Sequence, residues 1–174
     1  PADLPTSVTE YSLDFGKRIL DMAYGEDAIE EMVEEKKQML AEKAAELFRS
    51  ALEIQDERKD RFELLEGLES ILEWFKEYEC HPQLVEFSER GITYYEEYDE
   101  PERALELVED LSIRLLTEET YLKALEFVNK AVRIYYEKDN IDSAVSMGLQ
   151  VVDRLIEIDQ KETAIQYIDF VQDL

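Results

Sequence analysis

Alanine returns at equal intervals in the second half of this chain. Ala104, Ala124, Ala144 and Ala164 fall 20 residues apart, each followed by Leu, Val or Ile. Stepping back by the same interval reaches Leu84, Leu64 and Ala44. Two further columns keep the spacing: Ala51, Ile71, Gly91, Leu111, Ala131, Val151 and Val171 seven residues on, and Phe75, Tyr95, Leu115, Tyr135 and Leu155 eleven on. Apolar residues recur at three and four, the period of a helix, and no segment sustains the alternation of a half-buried strand. A fixed period in helical sequence means one helix per period, hence a hairpin of two helices about every 40 residues. A small side chain in the first column lets neighbouring helices approach, while the bulkier columns fill the space alongside.

Caps and breakers place the helix ends. Ser7 followed by Glu10 reads as a capping box, which predicts a first helix from near Val8 to Gly25. A second, long helix is predicted over about residues 26–55, which contain no Gly or Pro, and it ends in the polar run 56–59. Asp60 with Glu63 opens a third helix reaching about Glu79. Pro82 and Pro101 each suit the first position of a helix. Thr117, and Asp139 or Asn140, read as N-caps of later helices, and the last break falls near Asp159. The expectation is an all-α chain of roughly eight helices joined by short polar turns.

Composition removes several classes of function. The 174 residues carry 44 acidic and 19 basic side chains, a net charge of −25, which makes nucleic acid an unsuitable partner. An apolar fraction of 45% is enough for a folded core and argues against a disordered acidic tail. A single cysteine excludes an internal disulfide framework and agrees with a reducing, cytoplasmic setting. No apolar run approaches the roughly 18 residues that span a bilayer, so no membrane association is expected.

The segments Ala44-x3-Phe48-x2-Ala51, Ala124-x3-Val128-x2-Ala131 and Ala164-x3-Ile168-x2-Val171 share one pattern, fullest in the stretch 121–136. This resembles the second helix of tetratricopeptide repeats. The partner helix of that family carries a small residue near its middle, a place that Gly148 fits and that Gly67 fits more loosely. The resemblance covers about residues 40–174. The unit here is about 40 residues, longer than that family's 34, and Leu84, Ser88 and Gly91 depart from the second-helix pattern. The likeness implies an α-α superhelix of about four antiparallel hairpins, with a concave face that binds a peptide or protein segment. It divides the chain into an N-terminal hairpin with a long second helix, residues 1–59, and three helix pairs in one continuous domain, residues 60–174.

Residues suited to chemistry are scarce. Glu77, Glu79, Cys80 and His81 form the one cluster of metal-ligand types. It is too tight a run for four ligands, and no second Cys or His completes a tetrahedral site. A di-metal bundle needs two Glu-x-x-His pairs, and the chain has one His. Cys80, placed at the negative end of a helix among glutamates, should have a raised pKa and make a poor nucleophile. No phosphate-binding glycine loop, Gly-x-Ser-x-Gly or His-Glu-x-x-His occurs. The expectation is a protein that is not an enzyme and uses no cofactor or metal.

Charge and aromatic residues are unevenly spread. Residues 63–102 hold 13 acidic and two basic side chains, against eight and six in residues 103–140. Such a field keeps a surface solvated, and it also attracts a basic partner. Tyr95 and Tyr135 lie in a core column, whereas Tyr94 and Tyr98 are the candidates for exposure and for cation–π contact with arginine. Trp74 either flanks a groove or plugs a hairpin junction.

By the family's pattern, the groove is lined by Leu65, Glu69, Leu72 and Glu73, then Glu102, Leu105, Glu109 and Ser112, then Asp142, Val145, Leu149 and Val152. Arg114 and Arg154, 40 residues apart, either pair with glutamates across hairpins or grip an acidic group of a ligand. The last helix, residues 163–174, has apolar residues on more than one side, which implies a homodimer or a continuation of the chain. Pro1 fits either loss of an initiator Met or an excised fragment. The function that follows is a non-catalytic interaction module or scaffold holding a protein or peptide segment, with a basic one best suited to the charge. The alternatives are a regulatory or enzyme-associated subunit that binds a small ligand, and a dimerisation element.

Overall fold

A computed structural model describes residues 4–26, 28, 32–117 and 120–172. Among these the chain forms eight α-helices and no strand: α1 Leu4–Tyr24, α2 Glu34–Glu57, α3 Arg61–Glu77, α4 His81–Glu97, α5 Pro101–Arg114, α6 Tyr121–Glu137, α7 Ile141–Glu157 and α8 Lys161–Gln172. None is long and apolar enough to cross a membrane.

The 20-residue period is built into the backbone. Helices α3, α4, α6 and α7 are each 17 residues long and are followed by a three-residue connection. Its middle residue is left-handed: Lys59, Glu79, Asp99, Asp139 and Asp159 have φ of 53–59°. Its third residue turns its N–H back onto the carbonyl five residues earlier, as in Cys80 to Phe75 (2.9 Å), Asn140 to Tyr135 (2.9 Å) and Gln160 to Leu155 (2.7 Å). The left-handed residue bonds three residues back, as in Asp139 to Tyr136 at 3.1 Å. Together these bonds satisfy the carbonyls a helix leaves free at its end, in the Schellman arrangement. The third residue then accepts the first bond of the next helix, from Leu64, Leu84, Ala104, Ala144 or Ala164. Column one is therefore the fourth residue of each helix from α3 to α8, and every one of its members from Ala44 to Ala164 is buried.

The chain divides into two compact units, residues 1–94 and 95–174. In the first, α1 and α2 pack together, and α3 touches both. Gly16 meets Phe48 and Tyr24 meets Lys37, so α1 and α2 run in opposite directions. A Cβ on Gly16 would stand 2.3 Å from the Phe48 ring. Phe48 is fully buried and centres an aromatic cluster with Trp74 (5.4 Å), Phe75 (5.6 Å) and Phe87 (6.3 Å), drawing α2, α3 and α4 together. Trp74 thus packs at the junction of α2 and α3. Arg49 of α2 forks onto Glu86 of α4, at 2.6 and 2.9 Å, and also holds Glu42 at 2.6 Å. In the second unit α6 packs on α5 and α7, α7 packs on α8, and α7 also reaches α5.

Several helix ends differ from the sequence expectations. Helix α1 begins at Leu4, with Ser7 inside it, because Pro5 in a first turn lacks only an N–H that no helical carbonyl would use. Helix α2 begins at Glu34 and not near residue 26; Val33 is extended, and Glu34 and Glu35 place negative charge at the positive end of the helix. Pro82 is the second residue of α4, after His81, while Pro101 opens α5. Thr120, and not Thr117, caps α6, because it holds the register of Asp60 and Asn140. The Thr117 hydroxyl pairs instead with the Thr120 hydroxyl at 2.8 Å.

Candidate interaction surface

Burial sorts the expected groove residues. On α3, Leu65 and Leu72 are buried in the first unit while Glu69 and Glu73 are exposed. On α5, Glu102 is exposed, Leu105 and Glu109 are half-buried, and Ser112 is fully buried with its hydroxyl bonded to the Glu109 carbonyl at 3.2 Å. On α7, Asp142, Val145 and Leu149 are exposed and Val152 is buried. Leu72, Ser112 and Val152, each the eighth residue after column one, lie on the core side of their helices, and Leu65 is likewise buried in helix packing, so these four do not line an open groove.

Two of the expected residues come together. Glu109 of α5 and Asp142 of α7 line a cleft of about 370 Å³ in the second unit, with Ile113, Tyr135, Ser143, Ser146, Met147 and Gln150. Burial, and after it the neighbouring Glu106, push the Glu109 carboxyl above its ordinary range. Serine hydroxyls, an amide and two carboxylates give this cleft hydrogen-bonding walls and a negative field, suited to a cationic or polar group.

Both arginines are engaged in contacts within the second unit. Arg154 donates through Nε to the Leu116 carbonyl at 3.2 Å, holding α7 against the end of α5, and through Nη1 to Glu157 at 2.7 Å. Arg114 lies 3.8 Å from Asp110, four residues back on α5. Among the described residues, neither is seen to bridge to a glutamate of another hairpin.

The cysteine cluster lies at the C-terminal end of α3, as expected, with the Cys80 N–H closing that end on the Phe75 carbonyl. Cys80 lies between the end of α3 and the start of α4, and His81 is the first residue of α4. The thiol is buried, which pushes its pKa up to about 11; Tyr24 counteracts this by hydrogen bonding and Glu34 adds to it. No group of three or more potential ligands among the described residues is arranged to hold a metal ion.

Tyr94 is buried, contrary to the sequence expectation, and Tyr98 is half-buried. Burial raises the Tyr94 pKa, with Asp56 adding to the effect. Tyr95 is the tyrosine that meets an arginine, Arg103, at 5.7 Å from the ring centroid. Its neighbour in the column pattern, Tyr135, is half-buried at the cleft.

Two features went unread in the sequence. Every described connection of the repeated type follows a helix ending in glutamate, at Glu57, Glu77, Glu97, Glu137 and Glu157, so the helix ends carried a column of their own. Ile141 and Ile156 extend the exposed Val145 and Leu149 along α7, and their spacing in the sequence was the available signal. No family model matches the chain, and a search of curated proteins finds no match.

Proposed function

We propose that this chain is a non-catalytic helical-repeat module of the tetratricopeptide-like kind, holding a protein or peptide segment against its acidic surface. The observation that carries the reading is the constant turn at 59, 79, 99, 139 and 159, which sets successive helices in one register. Repetition of that kind presents equivalent side chains on every second helix, as open helical arrays do when they bind extended partners. In the second unit α5 and α7 stand side by side with Glu109 and Asp142 at the cleft between them. The buried, high-pKa thiol of Cys80 supports the non-catalytic part of the reading.

The test is an array of synthetic peptides, helical and extended, probed with the whole chain at low and moderate salt. Retention of particular basic segments, weakened by salt, is the expected result. The cleft itself favours a second reading, a subunit that binds a small polar cation. A metabolite that raises the melting temperature, with no peptide retained, would replace the first reading by the second.

A further inference from the structure

We infer that the outer face of α7 and α8 docks an amphipathic helix whose apolar stripe is flanked by lysine and arginine. This rests on the interaction-module reading and adds a second surface to the α5–α7 cleft.

Ile141, Val145, Leu149 and Ile156 are 52%, 37%, 57% and 50% exposed. At about 100° per residue they share one sector of roughly 80° on α7. On α8, Ile165 and Ile168 are 61% and 37% exposed. Gly148 and Val171 mark where the two helices touch. Each stripe begins beside that contact in the same rotational sense, and α8 returns antiparallel to α7, so both stripes lie on one side of the pair. Six large aliphatic side chains on one side of a helix pair form a patch of the kind that marks an interaction site.

The second unit shows what covers such a face. Glu109 and Ile113 of α5 line the cleft opposite α7, and the Leu116 carbonyl accepts from Arg154 of α7. Forty residues on, their equivalents are Leu149, Asp153 and Ile156. The exposed face of α7 is therefore the repeat of the α5 face on which α7 itself lies. An α-helix in that register is the occupant the geometry selects.

Charge selects its chemistry. Asp142, Asp153, Glu162 and Asp169 surround the patch without an ion-pair partner among the described residues. The two cations nearby are already engaged, Arg154 with Glu157 and Lys161 with Asp159, each at 2.7 Å. A second copy of this chain, itself at −25, would bring like charge to that rim. A helix with Lys or Arg on both sides of its apolar stripe meets the aspartates instead.

The probe is a labelled model helix of about 18 residues with a leucine stripe flanked by lysines, read by fluorescence polarisation against the whole chain. Saturable binding is expected, about tenfold weaker in about 300 mM than in about 50 mM NaCl. A peptide with Glu in place of every Lys should bind at least about tenfold more weakly. Leu149→Glu and Ile165→Glu, both at exposed positions, should each weaken binding by about tenfold, whereas Ser50→Ala on the exposed side of α2 should not. Asp153→Lys with Asp169→Lys, which leaves the apolar patch intact, should invert the preference between the two peptides. Absence of saturable binding, or binding indifferent to Leu149→Glu and Ile165→Glu, overturns the inference. So does a dimer in sedimentation that Leu149→Glu dissolves, which would assign the face to a second copy. Retention of other segments on the peptide array in those cases leaves the module reading standing and removes only this docking face.

Discussion

Gly148 of α7 lies so close to Val171 of α8 that a Cβ built on the glycine would stand 2.6 Å from Val171 Cγ2. Glycine in a helix costs about 1 kcal/mol against alanine, so its presence here is explained by proximity. Gly148→Ala alone should lower stability or leave it unchanged, because the helical gain is offset by the clash. In a Val171→Ala background the same substitution should stabilise by about 1 kcal/mol. A double-mutant cycle by urea unfolding reads the coupling, and its absence would show that α7 and α8 are not packed this way.

The left-handed residues at the turns are all non-glycine, and Glu79 is among the least suited to that conformation. Glu79→Gly should stabilise the first unit by up to about 1 kcal/mol, since relief of backbone strain exceeds the added freedom of the unfolded chain. Glu79→Ala should bring no comparable gain. Asp139→Gly should help less, because aspartate tolerates this region better. Melting curves of the three variants decide the order.

Arg49 and Glu86 tie α2 to α4, and Arg49 is the chief cause holding the Glu86 carboxyl below its ordinary value of 4.5. Between the folded and unfolded pKa the unfolded chain binds more protons, so this contribution is complete above about pH 4.5 and fades as pH falls through the folded value. Glu86→Gln should destabilise the first unit by about 1 kcal/mol at neutral pH and flatten that acid-side decline. Trp74, packed on Phe48, gives the fluorescence signal for the titration.

Gln55 occupies the column that holds Phe75, Leu115 and Leu155 on other helices, and it is 3% exposed with its Oε1 unpartnered. An orphaned buried amide oxygen costs roughly 1–3 kcal/mol. Gln55→Leu should therefore stabilise by about 1 kcal/mol, measured by urea unfolding with Trp74 as reporter. A loss of stability would mean that the amide is satisfied in solution.

The helices and their shared register were legible because column one is set by the hydrogen-bonded start of each helix, and burial keeps Ala104, Ala124 and Ala144 small or apolar alike. The turns were harder to read. Lys59, Glu79 and Asp99 carry no glycine signature, since the Schellman bonds hold them left-handed regardless of side chain. Thr117 looked as good a cap as Thr120, and only the register of the neighbouring helices separates them. Tyr94, one residue from the core column, is buried with Tyr95 because the apolar sector of α4 is wide enough to cover both positions, a width that spacing alone does not show. Side-chain exposure decided the surface: Val145 and Val152 look alike in sequence, yet one is exposed and the other buried.

The most direct test of the docking account, in which the α7–α8 face holds a basic amphipathic helix, is amide chemical-shift mapping of the isotopically labelled whole chain as the basic leucine-stripe peptide is added. The account predicts saturable shifts concentrated on α7 and α8, around Val145, Leu149, Ile156, Ile165 and Ile168. Spectra that stay unchanged at high peptide concentration, or shifts scattered evenly over all eight helices, would contradict it.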